Sequence, residues 1–394
     1  MQIEEPNKNT TGGWALFALG FRPFFLAAGF SAIVLMVQWL VMQNSSLESN
    51  VYYLASYWHA HEMLFGYTMA VIAGFLLTAV RNWTDLPTPS GTILFFISLL
   101  WLVARILPLF PEIFSIYSLV VIEVGFYALL IWSVAIPILK RRQFSNLIFI
   151  VILLLMLVAN ILVHIEVLAF THNTAWFGIY VMFFLVLLLI VVMGGRVIPF
   201  FAERGVPGLV TRKWKWIEWL AGPSIVIFGL SVLFVEPLAM WAALITMLIH
   251  FVRLAGWYDN KIWRVPLVWV LLLSYGWIVV GFGLSVLAYA GYLNVMLAWH
   301  AFTVGGVGGV TLGMMSRVAL GHTGREMKLS NGMVYAFVLL NIAGVIRVIF
   351  PMFSPEYHLL WINTSGAIWV VAFVLFVVIY WPILTQARVD GRPG

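Results

Sequence analysis

The chain has no cysteine among its 394 residues, and only 9% of them are charged. The first absence excludes disulfides, thiolate metal sites, iron–sulfur clusters and covalently attached c-type haem. Any metal must therefore be held by His, Met, carboxylate or backbone oxygen. The second absence excludes a water-soluble globular domain, which carries roughly 25% charged residues. The apolar runs lack the period-two alternation of a membrane barrel. No loop is long enough to fold as a separate domain. Residues Met1 to Thr11 lack the basic n-region and small-residue cleavage site of a signal peptide, so this stretch is expected to be retained in the cytoplasm.

What is present is apolar: 63% of the chain is hydrophobic, with a mean hydropathy of +1.03. The expected fold class is an all-α polytopic membrane protein, a single integral membrane domain over residues 1–394. A span needs about 20 apolar residues, and about twelve such runs can be counted. They begin near Arg22-Pro23-Phe24-Phe25 and end at Met42, then fall near 55–80, 91–108, 113–139, 146–170, 174–201, 216–235, 237–256, 265–289, 292–320, 331–352 and 359–385.

The net charge of +6 sits in short loops and reports orientation, so no nucleic-acid partner is expected. Lys140-Arg141-Arg142, Arg204, Arg212-Lys213, Lys215, Arg253, Lys261, Arg264, Arg325, Lys328, Arg388 and Arg392 all fall on one side of this topology. The opposite loops hold no Lys or Arg. By the positive-inside rule both termini are expected to be cytoplasmic.

The most chemically dense stretch is Trp58-His59-Ala60-His61-Glu62-Met63, at the outer start of the second span. Two imidazoles and a carboxylate are costly in a membrane unless paired, ligated or hydrated. Trp58-His59-Ala60 recurs as Trp299-His300-Ala301, and Arg196-Val197 as Arg317-Val318. With a rise of 1.5 Å per residue, His59, His61, His164 and His300 share the outer part of the bundle. His172 and His358 fall in outer loops, whereas His250 and His322 lie towards the cytoplasm, near headgroups or capping helix ends.

His59 and His61 point about 200° apart on a regular helix and need different partners. Glu62 and Met63 share the His59 face. Asn160 stands one turn before His164, placed to orient its second ring nitrogen. Glu123 lies near mid-membrane, as a polarising or proton-carrying group or as a hydrogen-bonded neutral carboxyl. Gly305, Gly309 and Gly313 form a stripe suited to close helix packing.

Phe21-Arg22-Pro23-Phe24-Phe25, Trp58 to Met63 with Gly66-Tyr67, Ala73 to Thr84, Gly194 to Phe201 and His300-Ala301-Phe302-Thr303-Val304-Gly305-Gly306 through Met315-Ser316-Arg317-Val318 together resemble the NnrS family. The resemblance spans nearly the whole chain. It implies a multi-pass protein of the bacterial inner (cytoplasmic) membrane that binds haem b and copper and is linked to nitric oxide metabolism, denitrification and nitrosative-stress tolerance. It carries no catalytic assignment, so redox enzyme and NO-binding protein stand side by side.

On that basis His59 and His300, at matching depth, are the expected haem pair. His61 and His164, with Met63 as a softer donor, are expected to serve copper or a second haem. Arg105 and Arg347, near outer span ends, either clamp haem propionates or pair with Glu112, Glu166 or Glu356. Nitric oxide or a related small molecule, an electron donor and the lipid bilayer are the expected partners. The competing reading is a transporter or loading factor for copper or haem. Twelve spans suit it, but no pair of plainly broken helices is evident in corresponding halves.

Overall fold

A computed structural model describes residues 14–45 and 54–392. The N-terminal stretch Met1 to Thr11 and most of the first outer loop lie outside the described residues. Twelve helices long and apolar enough to cross a membrane are present among them: α1 (Phe21–Asn44), α2 (Ala55–Thr84), α3 (Gly91–Leu109), α4 (Ile116–Lys140), α5 (Phe144–Val167), α6 (Thr174–Gly205), α7 (Lys215–Phe234), α8 (Glu236–Trp257), α9 (Pro266–Tyr289), α10 (Val295–His322), α11 (Asn331–Phe353) and α12 (Pro355–Thr385). The apolar runs become helices because lipid offers no partner for a free N–H or C=O. Their starts carry local signals: Ser115, Asn294 and Ser330 each accept a backbone N–H at a helix N-terminus.

Three helices form the centre. α2, α6 and α10 are the most enclosed spans, with 89, 72 and 72% of their apolar windows buried, and they touch one another. Each packs on the helix before it in the chain, α1, α5 and α9. The chain thus runs as three units of four helices, α2–α5, α6–α9 and α10–α12, the last completed by α1, which packs along α12. This explains why the internal echo looked faint: the related positions recur every four spans. Arg81, Arg196 and Arg317 all stand near the basic ends of the three central helices.

The glycine stripe of α10 sets its distance from α9. A Cβ at Gly305 would fall 2.3 Å from the Trp277 ring, and one at Gly309 would fall 2.1 Å from Ser274 Oγ. At the basic end the two chain ends meet, with Trp14 bridged to Gln386. Arg22 is fully buried and donates to the carbonyls of Leu384 and Gln386 at 3.1 and 2.6 Å, satisfying orphan acceptors at the end of α12.

Both α2 and α10 depart from α-helical winding just after their histidines. Glu62–Thr68 and Ala301–Gly308 are π-helical. Residues of both stretches line one cavity, and Tyr67 Oη of the first lies 2.6 Å from Thr311 Oγ1, just beyond the second. Such segments are rare and frequent at functional sites.

Candidate functional site

The end of the bundle opposite the basic loops holds two polar centres that share α2 as a wall. The first is fully enclosed. His61, Glu123 and His164, from α2, α4 and α5, present ligand atoms that all lie within 4.8 Å of one another. His164 Nε2 stands 2.8 Å from Glu123 Oε2, and His61 Nε2 stands 3.7 Å from it. His61 Nδ1 donates to Glu62 Oε1 at 3.1 Å, which leaves Nε2 with its lone pair towards Glu123. A carboxylate behind an imidazole is how a metal-ligating histidine is usually held. Asn160 Nδ2 donates to Glu123 Oε2 at 2.5 Å and lies 3.4 Å from His61 Nε2.

Arg105 balances the carboxylates. It donates to Glu62 Oε1 at 2.7 Å and forms an ion pair with Glu123. Gly66 makes room for it, since a Cβ there would meet Arg105 Nη1 at 3.3 Å and Glu62 Oε2 at 3.2 Å. One guanidinium faces two carboxyl groups, so with both ionised and the imidazoles neutral the cluster would hold one negative charge in excess. Buried charge needs compensation, and a bound cation would supply it. This buried cluster is a candidate metal site.

The second centre is a cavity of about 330 Å³ between α1, α2, α6, α10, α11 and α12. Its charged and imidazole wall is made by His59, His300 and Arg347, and the rest is mainly apolar, with Trp39, Trp299 and Trp369 among aliphatic side chains. Trp39 stacks on the His59 ring with centroids 4.3 Å apart, and His59 Nδ1 is buried without a partner. His300 Nδ1 donates to the Met296 carbonyl at 2.7 Å. Its Nε2 therefore faces the cavity as an acceptor, and Arg347 Nη2 donates to it at 3.2 Å. Among the described residues no carboxylate stands within ion-pair distance of Arg347.

The structure brings His59 together with His300, and His61 together with His164. Met63 lies in the cavity wall with His59, away from the His61–His164 cluster. Glu62 belongs with His61 and Arg105, although regular winding put it on the His59 face. Its carboxyl reaches the neighbouring ring instead, Oε1 standing 3.1 Å from His61 Nδ1. Arg105 finds Glu62 and Glu123, not the outer-loop glutamates. Asn160 serves Glu123 and His61.

His250, set aside in the sequence, and Arg253, counted there among the basic residues, belong to a separate buried network. His250 is fully buried, with Nδ1 2.5 Å from Tyr275 Oη, so it is neither a headgroup residue nor a cap. Arg253, within α8, pairs with Glu218 at 2.5 Å and donates to Tyr275 Oη at 3.0 Å. Gly195 allows this, because any Cβ there would collide with Arg253 Nη2. Glu123 is the site residue that the sequence left ambiguous. Its only sequence signal was a lone carboxylate in an apolar span, which by itself does not name its partners.

No individually curated protein is similar enough to the chain to stand as a named relative. The NnrS family (NnrS protein) matches residues 15–388, which carries every element of both polar centres. The chain belongs to the NnrS family.

Proposed function

We propose that this protein holds haem b and copper at the non-basic end of its bundle and acts in nitric oxide metabolism or nitrosative-stress tolerance. Family membership supports the link to nitric oxide. The observation that carries the assignment of groups is the separation of donors into two sets on opposite sides of α2. His59 and His300 line one aromatic cavity with Arg347, a cation that lacks a carboxylate partner. Two imidazoles, apolar walls and a guanidinium bonded to a neutral ring but to no carboxylate fit a flat macrocycle bearing acidic side chains. When bound, haem supplies a one-electron couple inside the membrane.

The chain's own part is positioning. The Met296 carbonyl fixes the His300 tautomer, Trp39 holds the His59 plane, and the aromatic wall excludes water. His61, His164 and Glu123 would hold copper, with Glu62 orienting His61 and Arg105 offsetting the carboxylates. By the positive-inside rule this end faces the periplasm of a bacterial inner membrane.

The test is the absorption spectrum of purified protein, oxidised and reduced, with copper measured on the same sample. His59→Ala or His300→Ala should remove the reduced haem bands and leave copper in place. His61→Ala or Glu123→Gln should lower copper and leave the bands. Folded protein without either group, or both groups lost together in every variant, would refute the assignment. Substrate flux across proteoliposomes that is abolished by His59→Ala would instead favour a transporter.

A further inference from the structure

The basic end of the molecule has a pocket that neither polar centre uses. It is about 390 Å³ in volume, between the loop joining α10 to α11 and the last turns of α12. Its rim carries Arg325, Lys328 and Glu326, and its floor is apolar, with Met333, Ile379 and Ile383. Arg325 Nη1 is buried and has no hydrogen-bond partner. Neither Arg325 nor Lys328 is in an ion pair among the described residues.

The surroundings do not neutralise these two cations. Arg22 lies within electrostatic reach of Arg325 and is itself positive. Arg388 is fully engaged, donating to Asp390 Oδ1 and Oδ2 at 2.9 and 2.6 Å and to the His322 carbonyl at 2.9 Å. Asp390 is thereby taken by Arg388 and does not reach Arg325. Gly324 closes this clasp with a positive φ of 71°, and a Cβ there would fall 2.7 Å from Asp390. The loop is thus fixed against the chain end, and Arg325 is held over the pocket.

A buried guanidinium nitrogen without an acceptor is costly, and a cationic rim over an apolar floor at a span end has a natural complement. We propose that this pocket binds a phosphate group carried on an apolar tail, the headgroup of an anionic phospholipid from the leaflet at the basic end. The shared chemistry is phosphate recognition by Arg and Lys. The apolar floor favours a lipid over free phosphate, which has nothing to place there.

Native mass spectrometry of delipidated protein, titrated with phosphatidylglycerol, phosphatidylcholine or inorganic phosphate, tests this. Each basic residue near an anionic lipid contributes about 1 kcal/mol, or roughly fivefold in affinity. Phosphatidylglycerol should bind more tightly than phosphatidylcholine, and Arg325→Gln/Lys328→Gln should weaken it by about thirtyfold. Glu326→Gln removes the one acidic group of the rim and should strengthen it, an arm that still decides if the double variant fails to fold. Unchanged phosphatidylglycerol affinity in either variant overturns the proposal. Full displacement of the lipid by inorganic phosphate would make free phosphate the ligand and overturn the lipid source.

Discussion

Arg105→Met should be the most damaging single substitution in the enclosed polar cluster, worse than removing either carboxylate. Arg105 faces Glu62 and Glu123, whose side chains are only 2 and 3% exposed. Removing one partner of a buried pair costs about 3–5 kcal/mol, because the other charge is left stranded. Here one guanidinium serves two carboxylates, so Arg105→Met belongs at the upper end. Glu123→Gln strands no charge, since Arg105 keeps Glu62 at 2.7 Å, and it weakens the hydrogen bonds with His164 and Asn160, at a cost of about 3 kcal/mol together. At about 2 °C per kcal/mol, the expected falls in apparent melting temperature are about 10 and 6 °C. Tryptophan fluorescence in detergent micelles, at one fixed scan rate, reads both, with 19 Trp in the chain as reporters. Adding Glu62→Gln to Arg105→Met should recover part of the loss, because one stranded charge is gone. A melt of Arg105→Met that matches wild type, or that is milder than Glu123→Gln, would refute this electrostatic account of the cluster.

Other perturbations separate the two centres from the scaffold. Gly309→Ala forces a methyl onto Ser274 Oγ and should cost about 1–3 kcal/mol by overpacking. Gly125→Ala, where nothing lies within 4 Å, should leave the melt unchanged. Tyr275→Phe strands the His250 ring and one Arg253 donor and should destabilise by about 1–3 kcal/mol, with haem bands and copper content unaltered. With copper in the enclosed cluster as proposed, a copper chelator should lower the melting temperature of wild type but not of His61→Ala/His164→Ala, measured by the same fluorescence.

The fold was legible because its signals are coarse. Apolar run length set the spans, and the observed helices begin and end within a few residues of 55–80, 216–235 or 331–352. The depth of a histidine followed from its place in a run, so His59 and His300 could be paired before their cavity was seen. Three things were hidden. The partners of Arg105 depend on how α2, α3 and α4 pack, which no sequence spacing encodes. The carboxyl of Glu62 turns to its neighbour His61 and to Arg105, a choice that hydrophobic periodicity does not report, whereas Met63 keeps the His59 face. The burial of His250 and Arg253 needed Gly195 on a helix far away in the chain to leave space for the guanidinium.

The π-helical turns of α2 and α10 have a consequence for register. A π-turn accommodates one more residue than the α-helical turn it replaces, so the two ends of each helix are out of phase by one residue, about 100° of rotation. In α2 this decides which imidazole looks into the aromatic cavity and which looks into the carboxylate cluster. Deleting one residue within Glu62–Thr68 would let the helix return to uniform winding without shortening its hydrogen-bonded core. The lower half would stay docked, while the upper half would turn as a screw, carrying His59 and His61 away from both centres at once. Helical phase, more than the identity of the two histidines, keeps the two centres apart.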